Sequence, residues 1–159
     1  MKIEFNPIGI IHTPYKSREN MPIQPSGGAD VHGTVELFEK FRDGLADLDG
    51  FSHIMLLYYF HRSQGFRLRV VPFMDSQERG VFATRAPRRP NPIGLSVVQL
   101  DKIEDGVLYI QNVDMLDGTP LLDIKPYVPE FDAQQHMRLG WLEQARKTVS
   151  QEKSDNRFL

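Results

Sequence analysis

The chain has 159 residues, 40% of them hydrophobic and 25% charged, with a formal net charge of −2 and no cysteine. That length accommodates one domain with a real core, while the missing cysteine excludes disulfides, thiolate catalysis and Cys-ligated zinc or iron–sulfur centres. The small net charge argues against an indiscriminate nucleic-acid binder. No apolar run approaches ~18–20 residues, and Met1-Lys2-Ile3-Glu4-Phe5 lacks a signal-peptide core, so a soluble, cytoplasmic protein with no membrane span is expected.

Ile3 to Thr13 reads as a first strand, interrupted by Pro7 and Gly9 and so placed at an edge or bulged. Pro14 to His32 has no periodicity and holds Pro14, Pro22, Pro25, Gly27 and Gly28. A loop of that length inside a compact domain is often functional; a ligand-contacting segment and a mobile surface loop are both open readings. Gly33 to Phe38 alternates as a strand, and Lys40 to Leu48 spaces Phe41, Leu45 and Leu48 as a short helix. Phe51 to His61 is the most apolar run, which predicts a strand buried on both faces, with His61 and Arg62 where it emerges.

Arg67 to Phe73 predicts a strand carrying alternating arginines, Met74 to Arg79 a turn, and Gly80 to Thr84 a short strand. In Arg85-Ala86-Pro87-Arg88-Arg89-Pro90-Asn91-Pro92-Ile93-Gly94 each Pro fixes its own φ, and Pro90 and Pro92 push Arg89 and Asn91 towards extended backbone. A stiff extended loop follows, whose arginines lose little backbone entropy on meeting an anion. Leu95 to Ile103 and Gly106 to Val113 predict a hairpin about the Asp105-Gly106 turn. Asp114 to Pro120 is a second tight loop, leading into the run Leu121 to Pro129, and Gln134 to Val149 reads as a helix with Met137, Trp141, Leu142, Ala145 and Val149 on one face. Together these elements predict a mainly β, single-domain antiparallel barrel or sandwich of about seven strands spanning 1–150, with a short connecting helix, a C-terminal helix and a flexible tail over 151–159.

Charge is unevenly spread. Residues 61–90 hold seven arginines against Asp75 and Glu78, whereas residues 101–132 hold eight carboxylates against Lys102 and Lys125. This pattern suits either a phosphate-facing surface or internal and intersubunit ion pairs. Neither glycine-rich phosphate-binding pattern occurs, nor a G-x-S-x-G elbow or H-E-x-x-H. The five histidines are dispersed, and no metal site is expected. The residues alone imply a β-rich domain with an arginine-lined anion site.

Three stretches resemble a known family. Gly80 to Ser96 is similar to its motif F-x-T-R-[SA]-x-x-R-P-N-P-I-G, Asp117 to Tyr127 to its D-G-[TS]-P-[VL]-[VIL]-D-I-K-x-Y, and Leu48 to Ile54 to its Gly-Phe-Ser-His-like turn. This is the TsaA-like, YaeB-type family, whose studied members are tRNA methyltransferases of the TrmO type. The resemblance implies a homodimeric, S-adenosylmethionine-dependent enzyme on a β-barrel, methylating N6 of threonylcarbamoyl-adenosine at position 37 of tRNA; an S-adenosylmethionine-binding regulatory or RNA-binding module without turnover is the alternative. It carries cofactor contacts onto Pro22, Ile23 and Gln24, onto His61 and Arg62, onto Arg85 and Leu95, and onto Gln111, Asn112, Val113 and Asp114. The family more often has Arg in place of Ile23 and Gln in place of Arg62, which puts side-chain contacts at those two positions in doubt. Arg85 would grip the cofactor carboxylate as a charge-assisted pair, and Arg67, Arg69, Arg88 and Arg89 would meet tRNA phosphates. His61 and Asp117 are the candidates for accepting the N6 proton. Longer family members carry an extra C-terminal domain that this chain is expected to lack.

Overall fold

Period-two burial marks the barrel strands. The computed structural model describes residues 1–19, 21–22 and 30–145. Its strands are β1 (Gly9–His12), β2 (His32–Leu37), β3 (His53–Tyr59), β4 (Arg69–Val70), β5 (Arg79–Gly80), β6 (Ile93–Glu104), β7 (Val107–Gln111) and β8 (Thr119–Pro126), followed by single-turn helices α1 (Pro129–Asp132) and α2 (Leu142–Ala145). Six strands close an antiparallel barrel in the order β1-β2-β7-β6-β3-β8, with β8 pairing back onto β1, while β4 and β5 form a separate ribbon. Closure leaves no barrel edge unpaired, which suits a small all-β domain.

The interior is filled by inward positions of all six barrel strands: Ile11, Val35, Ile54, Leu56, Val98, Leu108, Ile110 and Leu121 are among its fully buried residues. Each such side chain contributes about 1.5–3 kcal/mol relative to exposure. The predicted β6–β7 hairpin forms as expected, with Asp105 and Gly106 both at positive φ (50° and 80°), as a type I′ turn demands.

Several expectations are corrected. The strand at 53–59 buries one face, not two: Ile54, Leu56 and Tyr58 point inward, Met55 and Leu57 are half-buried and Tyr59 is exposed. Strand β1 starts at Gly9, six residues after Ile3. Backbone pairing on the ribbon is confined to Arg69–Val70 and Arg79–Gly80, and Val81–Ala83 turns as 3₁₀ instead of continuing a strand. The connecting helix is also 3₁₀, over Glu39–Leu45 and again over Leu48–Gly50. Of the helix predicted over 134–149, the described part is helical only at Leu142–Ala145, and positive φ at His136 (58°) and Gly140 (56°) interrupts what precedes it. Residues 146–149 and the predicted tail lie outside the described residues.

Two strand registers fix which side chains meet at one end of the barrel. Tyr58 lies directly opposite Gly94 across the β3–β6 pair, and Leu56 opposite Ser96. On its other side β3 shifts register against β8 between Leu57 and Tyr58, so that Leu57 faces Asp123 while Tyr58 faces Leu121. Such bulges re-aim side chains and recur beside functional sites.

Candidate active site

At the end of the barrel where β3 leaves and β6 enters, a cavity of about 730 Å³ opens beneath the Arg/Pro loop. Its apolar walls include Phe60, Phe73, Phe82 and Leu95, and Trp141 reaches it from the C-terminal segment by donating its indole N–H to the Ala83 carbonyl at 2.8 Å. Four arginines line it, Arg18, Arg62, Arg85 and Arg89, and among the described residues its one carboxylate is Asp114. Burying an acid there is costly unless it is neutralised or hydrogen-bonded.

The barrel registers supply that hydrogen bonding. Tyr58 points inward over Gly94, whose Cα has no substituent to obstruct it; a Cβ there would overlap the Tyr58 ring and lie 2.9 Å from Phe60. The phenol thereby reaches Ser96, two residues along β6, at 3.0 Å, and Ser96 Oγ donates to Asp114 Oδ1 at 2.6 Å. Because the serine proton is used on Asp114, the phenol O–H is the donor to Ser96. Ser96 is 1% exposed and Tyr58 4%, so the pair is sealed from bulk water. Burial pushes the Asp114 carboxyl up to about 7, against the opposing effects of the Ser96 hydrogen bond and the Arg85 charge. Burial likewise raises the Tyr58 phenol well above its ordinary value, with the Asp114 charge adding to the rise.

His61 sits where β3 ends, its Nδ1 3.5 Å from Thr119 Oγ1. Thr119 spends its own proton on the Leu116 carbonyl at 2.6 Å. Burial, followed by the charges of Arg62 and Arg18, lowers the His61 pKa and favours the neutral ring. Arg18 donates to the Arg62 carbonyl at 2.6 Å, which ties the early loop to the strand end.

The Arg/Pro loop is non-helical, as expected. Arg89 is not an outward-facing residue: its Nη1 donates to the carbonyls of Thr84 (2.8 Å) and Val81 (3.1 Å), and it lines the cavity as an internal clamp. Arg88 is half-buried, whereas Arg67 and Arg69 are exposed, Arg69 lying 3.4 Å from Glu78.

Of the residues singled out from the sequence, Pro22, His61, Arg62, Arg85, Leu95 and Asp114 converge on this cavity. Ile23 and Gln24 lie outside the described residues. Gln111, Asn112 and Val113 do not line it: Gln111 bonds Asp101 at 2.9 Å, Asn112 takes positive φ (65°) to pair with Val31, and Val113 is fully buried in the core. Asp117 lies apart, in a shallower cleft with His12 and Lys16, and Lys16 at 2.5 Å lowers its pKa. Tyr58 and Ser96 were missed. The signal for them was a hydroxyl-bearing residue at an inward position of each strand, where aliphatic side chains otherwise stand. Among the described residues no group of three or more His, Asp or Glu could hold a metal ion, and no helix is long and apolar enough to cross a membrane.

Comparison with known proteins agrees with this architecture. A "Probable S-adenosyl-L-methionine-binding protein" of Pyrococcus abyssi is 52% identical over 158 residues, covering 99% of this chain and 86% of that protein. The mouse "tRNA (adenine(37)-N6)-methyltransferase" is 36% identical over 138 residues, 82% of this chain but 32% of the mouse protein. The crystal structure of TrmO from Pseudomonas aeruginosa superposes with a TM-score of 0.75 at 40% identity, covering 89% of this chain and 63% of that one. The family model of the tRNA-methyltransferase O N-terminal domain matches residues 10–133, the barrel except Gly9 and the cavity wall except Trp141 and Leu142, and the chain belongs to that family.

Proposed function

We propose that this chain binds S-adenosylmethionine in the barrel-end cavity and transfers its methyl group to N6 of adenosine in tRNA, with the threonylcarbamoyl-modified adenosine at position 37 as acceptor. The names of its relatives, as binders of this cofactor and as a tRNA (adenine(37)-N6)-methyltransferase, support the reading. One observation carries it: the motif residue Arg85 faces a cavity whose remaining walls are largely aromatic and aliphatic.

That composition fits the cofactor. Its carboxylate matches the arginines, Arg85 foremost, through a charge-assisted hydrogen bond; its adenine and the aliphatic stem of its methionine part match Phe60, Phe73, Phe82 and Leu95. Pro22, His61, Arg62 and the backbone at Asp114 complete the proposed contacts. When bound, the cofactor supplies an electrophilic methyl on a sulfonium. The protein's share is to exclude water, align the acceptor nitrogen and take up its proton, and orientation of this kind accounts for a large part of the rate. In this reading the exposed Arg67 and Arg69 meet tRNA phosphates, while Arg89 supports the loop. We further infer a cytoplasmic, metal-independent homodimer, whose boundary would cover Phe82 (75% exposed) and Leu95 (44% exposed) at the cavity mouth.

Calorimetric titration tests the cofactor assignment. Arg85→Ala is expected to weaken S-adenosylmethionine binding at least tenfold, in line with about 1.5–3 kcal/mol for a hydrogen bond to a charged group. Unchanged affinity overturns the assignment of Arg85.

A further inference from the structure

Methyl transfer to an N–H nitrogen needs a proton acceptor, and neither His61 nor Asp117 is well placed for that role. Asp117 lies outside the cavity, committed to Lys16 and to the Thr13 backbone N–H at 3.1 Å. His61 lines the cavity but stands among Arg18 and Arg62, where a third positive charge is disfavoured.

Resting on the methyltransferase reading above, we propose that Asp114 is the catalytic proton acceptor, and that Ser96 and Tyr58 are positioning residues that aim its carboxylate into the cavity. Three observations carry this. Asp114 is the one acid among the described residues that line the cavity. One of its oxygens is held by Ser96 at 2.6 Å, so the side chain has a fixed orientation. Ser96 is itself held at 3.0 Å by a tyrosine that the Tyr58–Gly94 register places over the β6 backbone. A hydroxyl chain of this kind, sealed in the core, has no need to end on an acid to complete a barrel; an aliphatic residue would cost less. The charged and titratable groups acting on Asp114 are Arg85 from the Arg/Pro loop, Tyr58 from β3 and Tyr15 from the segment after β1.

The step balances without a further reactant. As the bond from the acceptor nitrogen to the methyl carbon forms and the carbon–sulfur bond breaks, sulfur keeps that electron pair and leaves as a neutral thioether, and the nitrogen's proton passes to Asp114. The carboxylic acid then returns the proton to water after product leaves. An acceptor titrating near neutral pH combines a populated basic form with useful basicity, which agrees with the raised Asp114 carboxyl.

The experiment pairs turnover with two readouts that need none. Asp114→Asn should lower kcat by at least a hundredfold while S-adenosylmethionine affinity, by calorimetry, stays within threefold of the parent. In the parent, kcat should rise with pH along a single ionisation; in Ser96→Ala, which removes a donor to the ionised form, that ionisation should move up by about 0.5–1 pH unit. The same displacement should appear when the Asp114 carboxyl carbon is followed by NMR in the cofactor-free protein. Loss of cofactor affinity in Asp114→Asn with kcat retained at saturation would make the carboxylate a cofactor ligand and overturn the proposal. So would a pH profile that Ser96→Ala leaves in place. Failure of the parent itself to bind cofactor would instead remove the methyltransferase reading, so the two failures are distinguishable.

Discussion

Asp114→Asn is expected to be more stable than the parent protein at pH 8. In the unfolded chain this carboxyl titrates near 3.8, whereas in the folded protein burial raises it to about 7. Between those values the folded state holds a proton that the unfolded state has lost, so stability falls as pH rises from about 4 to 7. Above about 7 the folded protein carries the whole cost of an ionised, largely desolvated acid. The difference sets an upper bound of roughly 4 kcal/mol, and solvent screening of the half-buried side chain reduces it to about 2 kcal/mol, or about 4–8 °C in Tm for a chain of this length. The amide of Asn can still accept from Ser96 and brings no charge. Thermal unfolding at pH 5 and pH 8 checks the sign: the gain should be present at pH 8 and smaller at pH 5. A stabilised but inactive variant is the pattern expected where a functional group is kept at a cost in stability.

The second large effect comes from β6. Gly94→Ala would put a methyl group into the Tyr58 ring and within 2.9 Å of Phe60. Overpacking of this kind costs about 1–3 kcal/mol, occasionally more. The ring has little room to move, because Tyr58 is 4% exposed and packs edge-on to Phe60 with ring centroids 5.5 Å apart. A drop in Tm of about 4–10 °C is expected, together with loss of the hydroxyl chain to Asp114. Combining Gly94→Ala with Tyr58→Leu should recover part of the Tm without restoring kcat. Wild-type melting of the single variant would show that the ring does not need the bare backbone of Gly94.

The barrel was largely legible because its signals are local. Asp105-Gly106 announced the β6–β7 hairpin, alternation announced β2, and three prolines kept the segment around Arg88 out of helix. The one-sided burial of β3 was hidden because its outward residues, Met55 and Leu57, are as apolar as its inward ones. The C-terminal periodicity misled because helical spacing of Met137, Trp141 and Leu142 says nothing of the backbone at His136 and Gly140, both at positive φ. Trp141 is placed instead by its hydrogen bond to Ala83 and by the Arg79 guanidinium, 5.7 Å from its ring centroid.

The site divides in the same way. Arg85, His61 and Leu95 are contiguous with recognisable stretches and could be named from them. Asp114 could be named only as a cofactor contact that the resemblance implies, not as the end of a hydroxyl chain, since its partners come from 18 and, through Ser96, 56 positions earlier in the chain, at Ser96 and Tyr58. Barrel closure brings these together, and no spacing in one sequence encodes it. Arg89 shows the converse: an arginine in a basic, proline-rich loop suggests phosphate, but one of its guanidinium nitrogens donates to the carbonyls of Val81, Thr84 and Ala86.

The central claim is methyl transfer, and nucleoside mass spectrometry tests it most directly. The protein is incubated with S-adenosylmethionine and with tRNA either carrying or lacking the threonylcarbamoyl group, and the digested nucleosides are compared. One added methyl on N6 of the modified adenosine, with much less on unmodified tRNA, is the predicted result. Absence of any methylated adenosine under conditions where calorimetry shows the cofactor bound would contradict it, and would leave a cofactor-binding module without turnover.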